Sequence, residues 1–73
     1  MKVKIRLDTM DEIRNFVTIT TKIPYDIHLE DGTGYRVSAK SILGAMATLE
    51  WNNLYCLCEH DIYTKIDSFI VEE

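Results

Sequence analysis

Residues 25–50 read YDIHLEDGTGYRVSAKSILGAMATLE, and the periodicity changes twice along them. Tyr25, Ile27 and Leu29 alternate with Asp26, His28 and Glu30, the period-two signature of a half-buried strand. Asp31-Gly32-Thr33-Gly34 is a turn, because glycine reaches positive φ without steric cost. Tyr35–Ala39 returns as a strand, so the two segments form an antiparallel hairpin. From Ser41 the spacing becomes helical: Ile42, Leu43, Met46 and Leu49 recur on a 3.6-residue period as far as Trp51, and Asn52-Asn53 breaks the run.

The same two periods extend to both ends. In Lys2–Leu7, Val3, Ile5 and Leu7 oppose Lys2, Lys4 and Arg6, which predicts a first strand. Thr9 followed by Glu12 has the spacing of a capping box, in which each side chain satisfies a free backbone donor. Ile13, Phe16, Val17, Thr20 and Ile23 then share one helical face, and Pro24 ends the element. The β-branched run Val17–Thr21 lowers helix propensity, so a strand competes there. The apolar spacing favours helix. Leu54–Cys58 reads as a fourth strand. Asp61–Glu73 reads as a closing helix capped by Asp61, with Ile62, Ile66, Phe69 and Ile70 facing inward.

The order is β-α-β-β-α-β-α. It predicts an α+β, two-layer open-faced sandwich in a single domain, residues 1–73. The open sheet face should carry Lys4, Arg6, Asp26, His28, Glu30, Arg36 and Ser38, together with Tyr55 and Leu57.

Composition narrows the function classes. With 47% hydrophobic residues and three glycines and one proline, the chain should fold, although a core of this size is only marginally sufficient. A net charge of −4 argues against a nucleic-acid module. No apolar run approaches the roughly 20 residues that span a bilayer. No signal-peptide pattern is visible, so the cytoplasm is the expected compartment. No cofactor motif, Gly-rich phosphate loop or Ser/His/Asp signature points to an enzyme. A chain this short also leaves little room for a substrate pocket of several hundred Å3.

The segment Val37–Ala47, VSAKSILGAMA, joined to this order of elements, resembles the HPr family. HPr proteins are the small phosphocarriers of the bacterial phosphoenolpyruvate-dependent sugar phosphotransferase system. Lys40, Ser41, Ile42, Gly44 and Met46 match the family pattern at the start of its second helix, and Leu43 is a permitted variant. The resemblance implies a four-stranded antiparallel sheet in the order 1-4-2-3 with three helices on one face. It also implies two functional positions. One is a carrier histidine at the start of the first helix, followed closely by an arginine and a proline. Counting back from Ser41 without gaps places Met10 at the histidine, Glu12 at the arginine and Ile13 at the proline, and no histidine lies between Met1 and Ile27. Asp11 and Glu12 occupy the helix start where a phosphohistidine would need positive potential. The other position is a serine that an ATP-dependent kinase phosphorylates in many Gram-positive relatives, creating a binding site for a transcriptional regulator. Ser41 matches it. The resemblance therefore implies a regulatory protein-binding module that has lost the carrier histidine. Its partners would be proteins: a serine kinase, a transcriptional regulator or phosphotransferase components. They would meet Lys40, Ile42, Leu43 and Met46.

Each site also has a plain structural reading. Serine is a preferred N-cap, so Ser41 fits a helix start without any modification, and the two roles are compatible. Gly44 inside a helix costs about 0.8–1 kcal/mol relative to alanine, which close packing or room for a partner would offset. Ile42 and Leu43 are adjacent and point about 100° apart, so they cannot share one narrow core stripe with Met46. Cys56, Cys58 and His60 would share one face of a strand. That pattern suits buried thiols or, as the alternative, a soft-metal site.

Overall fold

The computed structural model describes residues 1–71. The strands are β1 (Lys2–Lys4), β2 (Ile27–Glu30), β3 (Arg36–Ser38) and β4 (Tyr55–Cys58). The helices are α1 (Met10–Thr21), α2 (Ile42–Ala47) and α3 (Tyr63–Ile66); 3-10 turns at Thr48–Glu50 and Asp67–Phe69 extend the last two. The strands form one antiparallel sheet in the order β1-β4-β2-β3, as expected. Gly32 and Gly34 in the β2–β3 turn both adopt positive φ, at 93° and 103°.

One sheet face is the core. Ile27, Leu29, Cys56 and Cys58 are buried against Ile13, Phe16 and Val17 of α1, Ala45 of α2 and Ile66 of α3. Thr9 caps α1, its hydroxyl accepting from the Glu12 amide at 3.1 Å. The reciprocal bond is displaced by one residue: Glu12 accepts from the amide of Asp8, at 3.1 Å. The β-branched stretch stays helical. Ile13, Phe16, Val17 and Thr20 line its buried face, and tertiary burial outweighs the weak propensity.

Several boundaries differ from the sequence expectation. The first strand ends at Lys4, and Ile5 instead forms an isolated antiparallel bridge with Ile70. The predicted closing helix is therefore short. After Phe69 the chain is extended beside Ile5, the Arg6 amide donating to Phe69 and the Val71 amide to Lys4. Backbone pairing with a distant strand has replaced local helix bonds. Glu72 and Glu73, also assigned to that helix, lie outside the described residues. Asp61 sits one residue outside the N-cap and still accepts from the first helical amide, Tyr63, at 3.0 Å. Tyr25, expected to point inward, is exposed and stacks on His60 with ring centroids 3.6 Å apart.

The open face carries its expected residues, with one surprise. Glu30 points outward yet is only 5% exposed, because Lys2 and Arg36 close over it at 3.2 and 3.1 Å.

Candidate functional site

The second helix starts where the chain leaves β3. Ser41 has extended backbone angles, and its hydroxyl accepts from the Gly44 amide at 3.1 Å. Ser41 is thus the N-cap of this helix. Ser41 is half-buried, and its neighbours Ile42 and Leu43 are exposed.

Gly44 sets how α2 lies. A Cβ there would come within 3.3 Å of the Ser38 carbonyl oxygen and of the Val37 Cβ. The helix backbone therefore rests directly on the end of β3, and close packing explains the glycine. At that separation only small side chains fit beneath, so Ala45 and Thr48 are the buried positions. The larger apolar residues are turned outward: Leu43 is 76% exposed, Ile42 40% and Met46 39%. The 100° between Ile42 and Leu43 requires at least one of these three to face solvent; in the structure all three do, and Leu49, available to the core by its spacing, is exposed as well. Two aromatic residues not singled out from the sequence, Tyr35 and Trp51, meet edge to face at 5.8 Å beyond this helix. Aromatic residues on either side of a Gly-rich turn and a helix end were the signal available for them.

Lys40 is half-buried and its ammonium donates to the Ile23 carbonyl at 2.5 Å. Its charge is engaged by the carbonyl just past the end of α1.

At the start of α1, Met10 is the first helical residue and is half-buried. The amides of Glu12 and Ile13 are already taken by the Thr9 hydroxyl and carbonyl, at 3.1 and 3.0 Å. Asp11 and Glu12 sit in the first turn. This helix end is capped and acidic, which opposes an incoming phosphate.

The Cys56-x-Cys58-x-His60 alternative does not assemble. Both thiols face the core, while His60 lies past the end of β4, exposed and stacked on Tyr25. Among the described residues, no three His, Cys, Asp or Glu side chains gather where they could hold a metal ion. Burial, with Cys58 close by, pushes the Cys56 thiol up to about 12, so it stays protonated and inert.

The open sheet face carries a cleft of about 610 Å3, larger than the chain length suggested. Tyr25, Asp26, His28, Arg36, Leu57 and His60 are among its walls. Among the described residues, no helix is long and apolar enough to cross a membrane.

No protein-family model matches this sequence, and no curated protein matches it. Among solved structures, the chain is similar to the crystal structure of HPr-C-His from Thermoanaerobacter tengcongensis. The two share 24% identity with a TM-score of 0.66, over 93% of this chain and 82% of that one. At that identity the likeness establishes the fold: this chain has the open-faced sandwich of an HPr protein.

Proposed function

We propose that this HPr-like chain is a regulatory module that binds other proteins through α2, and that it is neither an enzyme nor a histidine phosphocarrier. The observation that carries this reading is the outward turn of Ile42, Leu43 and Met46 around a capping serine. Three large apolar side chains on a six-residue helix are costly to leave in water, and a partner surface would cover them. Ser41 is the residue proposed for phosphorylation. Its Oγ would attack the γ-phosphorus of ATP on a serine kinase, releasing ADP and the hydroxyl proton. The product would add about −1.5 to −2 charge beside the apolar residues, enough to change which partner fits. Lys40, at the margin, would contribute its stem. The capped, acidic start of α1 and the methionine at the carrier position support the loss of histidine phosphotransfer.

Two incubations test the proposal. With a serine kinase of HPr proteins and ATP, intact-mass and fragment spectra should place one acid-stable phosphate on Ser41, and the Ser41→Ala protein should take none. With enzyme I and phosphoenolpyruvate, no acid-labile phosphate should form. Phosphate at another residue, or stoichiometric transfer from enzyme I, would overturn it.

A further inference from the structure

The sulfur atoms of the chain stand in unequal surroundings. There are two cysteines and three methionines. Both thiols are buried in the core, where Cys56 stays protonated, and buried thiols react slowly. Met1 is half-buried against the core, and its Sδ accepts from the Ile62 amide at 3.3 Å. Met10 is half-buried against the core as well. Met46 differs from both. It is exposed on the outer side of α2, and its sulfur takes no hydrogen bond among the described residues. Its position on the helix gives that sulfur a consequence. Ile42 and Leu43 point about 100° apart, and Met46, one turn further on, points between them. The most accessible sulfur of the chain therefore sits in the middle of the apolar surface of α2.

We infer that Met46 is a redox modification site, at which a hydroperoxide converts the thioether to the sulfoxide and breaks up the apolar surface of α2. With hydrogen peroxide, a lone pair on Sδ attacks one peroxide oxygen, and the S–O bond forms as the O–O bond breaks. Sulfur gives up two electrons, the peroxide is reduced, and its second oxygen leaves as water with both protons. A polar S=O oxygen then stands between Ile42 and Leu43, and a partner that covers it without a donor must strip its water. The change is reversible. A sulfoxide reductase returns the thioether, the oxygen leaving as water while two thiols become a disulfide. Leucine would fill the position with much the same volume and none of this chemistry. The effect on partners rests on the proposal that α2 binds proteins; the site of oxidation does not.

The test exposes the folded chain to hydrogen peroxide and follows each methionine by peptide mass spectrometry. Met46 should gain one oxygen first, about threefold or more faster than Met1 and Met10. The singly oxidised protein should keep its amide NMR dispersion and elute earlier from a hydrophobic-interaction column. Methionine sulfoxide reductases A and B with dithiothreitol should restore the late elution. Met46→Leu should elute late before and after peroxide. None of these measurements uses a kinase or a partner, so failure here and failure of the α2 reading are told apart. Oxidation of Met1, Met10 or a cysteine ahead of Met46, equal rates at the three methionines, unchanged elution of the oxidised protein, loss of its NMR dispersion, or a peroxide shift that persists in Met46→Leu would each overturn the inference.

Discussion

The hydroxyl of Thr20 lies 2.8 Å from the carbonyl oxygen of Ala39, inside the core and 19 positions away along the chain. It is also 3.1 Å from the Val17 carbonyl of its own helix, so the nearer, long-range acceptor receives the proton. This bond joins the last turn of α1 to the short link between β3 and α2, and so sets where the exposed helix begins. Both residues are fully buried, and without Thr20 the Ala39 carbonyl loses that donor. Thr20→Val should cost about 1–3 kcal/mol in urea unfolding, and Thr20→Ser should recover part of it.

Gly44 offers a test with an informative sign. Helix propensity alone would make Gly44→Ala stabilising by about 0.8–1 kcal/mol. The new methyl would press at 3.3 Å on the Ser38 carbonyl, which is backbone and yields little. The variant should therefore show no gain, or a loss, in its melting temperature. A gain of the full propensity value would mean that α2 does not rest on β3 as described.

Glu30 and its two cations should respond unequally to removal. Glu30→Gln releases Lys2 and Arg36, both half-exposed, back to water, and should cost about 1 kcal/mol. Replacing both cations with methionine leaves the carboxylate covered and unpaired, and should cost about 3 kcal/mol or more. Chemical denaturation of the two proteins at neutral pH compares them directly. Equal losses would mean that the ion pairs contribute no more than surface pairs do.

In the β2–β3 turn, Asp31 accepts from the hydroxyl and the amide of Thr33 at 2.7 and 2.8 Å. These bonds hold its carboxyl below the ordinary 3.8, the hydroxyl being the largest cause. A lowered value means that the turn's contribution is present above 3.8 and is lost as pH falls through the folded value. Thr33→Val should raise the Asp31 midpoint toward 3.8 in a carboxyl NMR titration. The variant should also lose less stability on acidification than the parent.

The readable features of the sequence were local ones. Alternation assigned His28, Arg36, Tyr55 and Leu57 to the open face, and the caps at Thr9 and Ser41 follow from nearest neighbours within one turn. What stayed hidden depends on residues far apart in the chain. Glu30 is covered by side chains from positions 2 and 36, so no window around it signals burial. Ile70 leaves its helix because Ile5 offers it a strand partner. The outward turn of Leu43 follows from the contact of Gly44 with Ser38, a distance that helical periodicity does not contain. At the candidate site the residue types were legible, as was the need for at least one of Ile42, Leu43 and Met46 to face solvent, but not that all three would and Leu49 with them.

The bridge between Ile5 and Ile70 has one more effect. A sheet ends in two rows of unpaired backbone groups, and each is a template on which another chain can add a strand. Here the Val71 amide occupies the Lys4 carbonyl and the Arg6 amide is taken by Phe69, so the far end of the β1 row is already filled from within. The opposite row, on β3, is only Arg36–Ser38. So short a row, headed by an arginine, is a poor seed for intermolecular stacking. Trimming the chain before Phe69 should therefore free the Lys4 carbonyl and the Arg6 amide, extend the open β1 edge past Lys4, and raise the tendency of the domain to associate edge to edge, as light scattering would read.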